Sequence, residues 1–183
     1  MASDLALRRT LTVRSGGEKL VLLKKRGESI EHVLMKAVLW ALYRPAFPDV
    51  RVEVPIGDTY KPDLVDLAPP PGGLAYGDER PTFWGEAGKV SQAKWRALLK
   101  RFPETHFALA RWDERLDPHQ ATIRRALGRR PRRAPVDLIR VPDAAGRLVA
   151  PDGTVRVSVQ GESDRGQDGP TVAVERRRLW GER

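Results

Sequence analysis

The chain has 183 residues, of which 40% are hydrophobic, and its 33 Lys and Arg against 24 Asp and Glu give a net charge of +9. This length predicts one domain, or one domain with a small appendage, and the apolar fraction is sufficient for a packed core. The absence of cysteine excludes disulfides, a thiol nucleophile and a cysteine-ligated zinc site. The three histidines are far apart in sequence, so they suggest no imidazole metal cluster.

The first elements are predicted from turn and helix signals. Two apolar segments on either side of SGG (15–17) predict an antiparallel hairpin over residues 5–26. No run near the N-terminus resembles a signal peptide, and none in the chain approaches the ~18 apolar residues of a membrane span. We therefore expect a soluble cytoplasmic protein with no membrane partner. After the hairpin, apolar residues recur at helical spacing and predict a helix that Ser29 caps and Pro45 stops.

Strand and helix patterns alternate through the middle of the chain. The segment 105–112 is almost continuously apolar, which is typical of a buried parallel strand. From Arg129 the sequence becomes a basic linker followed by three strand patterns. The predictions before that point are strands over 50–56 and 61–67, a loop over 68–80, a strand over 82–88, a helix capped by Ser91, the strand over 105–112 and a helix that Gly128 follows.

This order predicts an α/β fold with a mixed central β-sheet flanked by helices. We place this core and its N-terminal hairpin in residues 1–128, and a basic linker with a β-rich C-terminal extension in residues 129–183.

One acid lies at the edge of the apolar stripe of the first helix. This is Glu31, whereas Glu28, His32 and Lys36 are the residues predicted to face water. An acid next to the core has to be paired, hydrogen-bonded or bound to a metal. Taken alone, Glu31 is better explained as a first-turn acid that the helix dipole stabilises.

Two more acids lie where apolar strands begin or end. Asp63 follows Pro62 in KPDLVDL, and Glu86 comes near the end of PTFWGEA. Each has an ordinary explanation: Pro-Asp is turn chemistry with the strand starting at Leu64, and Glu86 could be a solvated strand end. Asp66 competes with Asp63 as the functional acid, although it points to the opposite face of the strand.

Taken together, Glu31, Asp63 and Glu86 could place carboxylate oxygens around one hard cation, Mg²⁺ or Mn²⁺. The order of helix Glu31, strand Asp63, strand Glu86 and a following helix resembles the PD-(D/E)XK nuclease superfamily. GESIEHVLMKAVLWALY, YKPDLVDL and FWGEAGKVSQAKW are most similar to its YaeQ-like branch, over roughly residues 18–112. The resemblance implies a restriction-endonuclease-like core of order αβββαβ, metal ligation by the three acids and hydrolysis of phosphodiesters.

The lysine of that superfamily pattern is displaced in this chain. The pattern has Lys two residues after the strand Glu, but that position is Gly88. Lys89 comes one residue late and points away unless Gly88 breaks the pleat. Lys94 is preferred, because the superfamily is known to place this lysine on a neighbouring helix. A cation in the first helical turn opposes the dipole, which a nearby carboxylate or phosphate would relieve.

The densest run of positive charge is RRALGRRPRR. Such a run is commonly a solvated face, but next to a metal-dependent phosphodiesterase site it favours sequence-independent contacts with phosphates. The residues predicted to bind nucleic acid, DNA in preference to RNA, are Arg124, Arg125, Arg129, Arg130, Arg132 and Arg133.

The leading hypothesis from the sequence is a Mg²⁺- or Mn²⁺-dependent nuclease. Asp63 and Glu86 would bind the metal, Glu31 would complete or support the site, and Lys94 or Lys89 would assist the attacking water. The displaced lysine motivates a first alternative, a nucleic-acid-binding module of the same fold that has lost catalysis. A second alternative is a protein-interaction or assembly factor that docks through the β-rich extension.

Overall fold

The computed structural model describes residues 10–69, 80–143, 149–161 and 171–180. An antiparallel hairpin of β1 (Thr10–Ser15) and β2 (Glu18–Leu23) comes first. Its two-residue turn is Gly16-Gly17, with φ of 55° and 81°, and such a left-handed pair matches the twist of the two strands. The predicted hairpin is confirmed for the residues described.

The centre of the molecule is a mixed seven-stranded sheet with the strand order β3-β4-β5-β6-β7-β9-β8. Strands β5, β6 and β7 are parallel neighbours, and so are β8 and β9, whereas the other pairs are antiparallel. A mixed α/β fold is therefore confirmed. The strands are β3 Arg51–Val52, β4 Leu64–Leu67, β5 Pro81–Ala87, β6 His106–Trp112, β7 Val136–Val141, β8 Val157–Val159 and β9 Val172–Leu179.

In the described part of the chain, helices α1 (Ile30–Tyr43), α2 (Gln92–Arg101) and α3 (Asp117–Leu127) cover the two faces of the sheet. One apolar cluster joins α1 and the hairpin to side chains such as Phe83. A second cluster joins α2 and α3 to the other face, which includes Trp84. Because successive residues of a strand point to opposite faces, β5 contributes to both clusters and is buried on both sides. Among the described residues, no helix combines the length and hydrophobicity that a membrane crossing requires.

Two predicted strands are shorter in the structure. The strand predicted over 50–56 ends at Val52, because Glu53 has a left-handed backbone with φ of 56°. The strand predicted over 61–67 begins at Leu64, as the turn interpretation of Pro62-Asp63 required. Of the loop predicted over 68–80, residues 70–79 lie outside the described part of the chain.

The strands after residue 128 belong to the same sheet as those before it. Strand β7 pairs with β6 along its whole length, from Phe107 opposite Val136 to Trp112 opposite Val141. Strand β9 then pairs with the other edge of β7, and β8 pairs with β9. The segment predicted as a C-terminal extension therefore continues the central sheet.

Candidate functional site

Glu86 is the buried centre of the candidate site, with only 6% of its side chain exposed. It lies on β5 two residues after Trp84 and so points to the same face, where the Trp84 Nε1–H donates to its Oε1 at 2.6 Å. The Lys94 Nζ donates to its Oε2 at 2.7 Å. Burial raises the pKa of Glu86, and the charge of Lys94 opposes this without cancelling it. The acid that ends this apolar strand is thus one half of a buried ion pair.

The chain between Glu86 and Lys94 explains which lysine reaches the acid. Gly88 has φ of 91°, so the pleat of β5 breaks there. Lys89 is exposed beyond this break, whereas Ser91 caps α2 by accepting from the Lys94 N–H at 3.1 Å. The cap fixes the first turn of α2 so that Lys94 projects back to β5. Lys94, and not Lys89, contacts Glu86.

Asp63 lies next to this pair, on the segment that leads into β4. Its Oδ2 accepts from the Ala87 N–H at 2.8 Å, and its own N–H donates to the Gly85 carbonyl at 3.2 Å. The charge of Asp63 adds to the elevation of the Glu86 pKa, as like charges brought together should. Asp66 instead accepts from the Thr82 hydroxyl. The structure therefore brings together Asp63, Glu86 and Lys94 and leaves Asp66 out.

Helix α1 meets the site through a residue that the sequence predictions placed toward water. The His32 Nε2 is 3.4 Å from the Asp63 Oδ1 and 3.5 Å from the Glu28 Oε1. Glu31 is half-buried, and its side chain forms no hydrogen bond or ion pair with the residues that the structure describes. The polar stripe of α1 faces the β3 and β4 segments, because the chain after β3 folds against it. The prediction that this stripe faces water is wrong.

Lys36 is the clearest case, since only 1% of its side chain is exposed. Its Nζ donates to Glu28 at 2.7 Å and to Glu53 at 2.6 Å, and Lys25 also pairs with Glu53. Burial alone would raise the pKa of Glu53, but its two lysine partners lower the value to about 2. The same contacts raise the pKa of Lys36 although burial acts in the opposite direction. This network fixes α1 to the backbone beside Asp63, because the Glu53 N–H donates to the Asp63 carbonyl at 2.8 Å.

The donor set fits a hard cation only in part. Two carboxylates beside each other are the number that Mg²⁺ commonly takes from a protein, with water and phosphate completing its shell. However, both oxygens of Glu86 already accept hydrogen bonds, and one oxygen of Asp63 does too. In the described ranges no group of three or more His, Cys, Asp or Glu side chains is arranged to hold a metal ion. Asp63 and Glu86 are thus the two ligands that this geometry could offer.

The aromatic ring of Tyr60 lies beside Lys94. The centre of the Tyr60 ring is 5.6 Å from the Lys94 Nζ and 5.8 Å from the Arg101 guanidinium carbon, within the range of cation–π attraction. Arg101 is itself paired with Asp58 at 2.7 Å. This pairing holds the segment before Asp63 against α2, so that Tyr60 stays next to the Glu86–Lys94 pair.

The predicted nucleic-acid-binding arginines lie at the other end of the sheet. Helix α3 connects the parallel strands β6 and β7, so the chain at its end lies near the amino ends of these strands. Glu86 lies farther along the sheet, opposite Leu109 in the pairing of β5 with β6. Arg132 donates to the Thr105 carbonyl, four residues before Leu109 and about 13 Å away along the strand. The arginine run therefore does not line the immediate surroundings of Glu86.

The six arginines also differ in exposure and in ion pairing. Arg132 is half-buried over the Phe107 ring at 4.8 Å, and burial lowers its pKa to about 10, so its role is to close the chain onto β6. Arg133 is exposed but pairs with Glu104 at 2.7 Å. The four others are exposed and form no ion pair with the described residues: Arg124, Arg125, Arg129 and Arg130.

A second polar cluster lies at that far end of the sheet and is a part of the core. Asp137 is fully buried and accepts from the Tyr43 hydroxyl at 2.7 Å and from Arg178 at 2.8 and 2.9 Å, and the His106 ring lies 2.8 Å away. Burial alone would raise the pKa of Asp137, but the hydrogen bonds from Arg178 and His106 hold it well below its usual range. Since its partners satisfy this carboxylate, the cluster stabilises the fold.

Four residues near the site were not predicted as members of it: His32, Lys36, Tyr60 and Trp84. Of these, Lys36 had a signal in the sequence. It lies four residues after His32 and eight after Glu28, so helical spacing places the three on one side, with Glu28 just before the N-cap of α1. Tyr60 and Trp84 depend on contacts between segments distant in sequence, and no local pattern indicates them.

Comparisons with known proteins bear on the fold. No family model matches the chain, and no curated protein matches it in sequence. Among solved structures it is similar to the YaeQ protein from Pseudomonas syringae, with a TM-score of 0.54, 17% identity and coverage of 94% of each chain. It also resembles the YaeQ protein from Xanthomonas axonopodis pv. citri, with a TM-score of 0.49, 15% identity and coverage of 74% of this chain and 72% of that one. The first similarity extends over nearly the whole of both chains, and we conclude that this protein has a YaeQ-like α/β fold.

Proposed function

We propose that the protein is a Mg²⁺- or Mn²⁺-dependent nuclease of the PD-(D/E)XK type, with a restriction-endonuclease-like core, that hydrolyses phosphodiester bonds of nucleic acid, DNA in preference to RNA. The observation that carries this proposal is the buried Glu86–Lys94 pair with Asp63 beside it. An acid, a second acid from the neighbouring strand segment and a lysine from the next helix form the set that this chemistry uses.

Asp63 and Glu86 would hold the cation. When bound, a divalent cation neutralises phosphate charge and acidifies a coordinated water. Glu31 is the predicted third member, and it is half-buried on the helix that contacts Asp63 through His32. Burial raises the pKa of Glu86, whereas the adjacent Lys94 ammonium favours the ionised form, as a bound cation would.

Lys94 supplies the second part of the chemistry. The Lys94 side chain is 19% exposed, and its Nζ donates to Glu86. An ammonium in that position can orient a water by hydrogen bonding and offset the charge that develops on a phosphate. Tyr60 limits the positions that Lys94 can adopt, because its ring lies on one side of the ammonium group.

The direct test uses purified protein, labelled single- and double-stranded DNA and RNA, and Mg²⁺ or Mn²⁺. We expect metal-dependent cleavage that Glu86→Gln and Asp63→Asn abolish and that Lys94→Met lowers by at least about 100-fold, the low end for a general acid–base group. The matched controls are Asp66→Asn and Lys89→Met, which remove an acid and a lysine nearby in sequence without touching Glu86. Absence of cleavage, or cleavage that survives Glu86→Gln, would refute the proposal.

One observation favours a second candidate, a nucleic-acid-binding module that does not cleave. Both oxygens of Glu86 already have hydrogen-bond partners, Trp84 and Lys94, and the Lys94 ammonium balances the charge of the carboxylate. If this ion pair keeps Glu86 from ligating a divalent cation, the protein binds nucleic acid without cleaving it. Wild-type protein would then bind labelled nucleic acid equally with metal and with EDTA and leave it intact.

A further inference from the structure

Exposed basic residues lie along α2 and α3 on the side of the sheet that holds Lys94. The two helices pack together in one apolar cluster, so their exposed stripes form a single face. Six exposed cations on this face and its continuation form no ion pair with the described residues: Arg96 and Lys100 of α2, Arg124 and Arg125 of α3, and Arg129 and Arg130 after it. We call these six residues the α2–α3 basic face.

The acids near this face are already neutralised. Asp58 is paired with Arg101, Glu104 with Arg133, and Asp117 with Arg177, each at 2.7 Å. The charge that remains unpaired on the α2–α3 basic face is therefore positive. Charge of one sign over a continuous area attracts polyanions and gives sequence-independent affinity for phosphates.

The helix dipole explains only part of this arrangement. Arg124 and Arg125 lie in the last turn of α3 and Lys100 in the last turn of α2, where the dipole stabilises cations. Arg96 gains nothing from the dipole, because it is the fifth residue of α2 and follows directly on the first turn that contains Lys94. The dipole therefore does not account for this exposed cation, which has no acidic partner among the described residues.

We propose that the α2–α3 basic face binds the sugar-phosphate backbone of duplex DNA and leads it from the arginine run to the Glu86–Lys94 pair. The choice of DNA as the partner rests on the proposed nuclease function, whereas the assignment of the surface rests on its unpaired positive charges. The ten residues of α2 rise about 15 Å, which matches the separation of about 13 Å along β6 between the arginine run and the level of Glu86. One DNA strand carries a phosphate every ~3.4 Å of helix axis, so α2 spans about four phosphates.

The test measures DNA binding in EDTA, where no metal-dependent cleavage occurs, by fluorescence anisotropy of a short labelled duplex over a series of KCl concentrations. The variant Arg96→Gln/Lys100→Gln removes two cations from the face. The matched control Lys19→Gln/Arg26→Gln removes two exposed cations from the hairpin region, which packs on the opposite face of the sheet. We expect the first variant to weaken binding and to make the slope of log affinity against log salt shallower by about 1–2, since each lost B-DNA phosphate contact removes about 0.9. The control should keep the wild-type slope.

Three outcomes overturn this inference: the two variants lose slope equally, neither loses slope, or the wild type does not bind DNA at low salt. Its failure can be distinguished from that of the nuclease proposal. If wild-type protein binds DNA through this face but never cuts it with Mg²⁺ or Mn²⁺, the basic face stands and the nuclease proposal fails. If the wild type cuts DNA and Arg96→Gln/Lys100→Gln binds and cuts like it, the nuclease proposal stands and the α2–α3 basic face is not its DNA-binding surface.

Discussion

Replacing Asp63 with asparagine tests whether this residue is a metal-binding carboxylate or a structural turn residue. Asparagine keeps an oxygen that can accept from the Ala87 N–H, as Asp63 Oδ2 does at 2.8 Å. It removes the negative charge that contributes to the raised pKa of the buried Glu86. Because the hydrogen bond is retained and the repulsion is relieved, Asp63→Asn should be at least as stable as wild type in EDTA.

The free energy of metal binding sets the expected change in Tm. A ligand that binds only the folded state at 100 times its Kd stabilises it by about 2.7 kcal/mol. For a chain of this size, each kcal/mol raises Tm by about 2–4 °C, so wild type should gain about 5–11 °C with saturating Mn²⁺. Asp63→Asn should lose most of that gain. Asp63→Ala should also unfold at lower temperature in EDTA, because it leaves the Ala87 N–H without its acceptor, at a cost of about 1–3 kcal/mol.

Thermal unfolding followed by circular dichroism, with EDTA, Mg²⁺ or Mn²⁺, measures all of these shifts. Asp66→Asn is the matched control, because it removes a charge three residues away whose partner is the Thr82 hydroxyl. It should keep the full metal-dependent shift. The reasoning is refuted if wild type ignores both metals, or if Asp63→Asn keeps the shift or is strongly destabilised in EDTA.

Three further predictions concern stability. Lys36→Met should destabilise the fold by about 1–3 kcal/mol at pH 7, because Glu28 and Glu53 lose the buried cation that they share and Glu53 keeps only Lys25. The loss should shrink as pH falls from 4.5 towards 2, since Glu53 has its pKa lowered to about 2 and its contribution is present above pH 4.5, and urea unfolding across that range should show the trend. Asp137→Asn should cost a similar amount at pH 7 and progressively less below about pH 4, and a urea midpoint close to that of wild type at pH 7 would contradict this. Gly88→Ala should cost about 1–2 kcal/mol in the same assay, because φ of 91° disfavours an L residue while an added Cβ meets only ordinary contacts, and an unchanged midpoint would show that the loop relaxes.

The local elements of this protein could be predicted from the sequence because their signals act over a few residues. Ser29 and Ser91 accept hydrogen bonds from backbone N–H groups three residues on, at 3.2 and 3.1 Å, which is a short-range cap geometry. The apolar segment from His106 to Trp112 was predicted as a buried parallel strand, and it is buried between two parallel neighbours. The caps follow from short-range hydrogen bonding, and the strand follows from its burial on both faces.

The contact of a charged side chain could be predicted where the backbone conformation left only one residue able to make it. Gly88 sends Lys89 into solvent, so the lysine that meets Glu86 is the one that the cap of α2 directs back to β5. The preference for Lys94 in the sequence agrees with this contact, although its catalytic role stays a prediction. Helical spacing predicted that Lys36 faces water, and this was wrong. A helical pattern shows which residues share a face but not which other segments cover that face.

Tertiary structure alone decided which acids meet and where the chain's second half belongs. Asp63 and Glu86 are neighbours because β4 and β5 pair in one register, which sequence periodicity does not specify. Strands β7 and β9 join the central sheet because the edge of β6 offers unpaired backbone groups that β7 satisfies, and β9 then does the same for β7. A strand pattern encodes alternation along one segment, whereas the choice of partner depends on which edges remain free after the rest of the chain has packed.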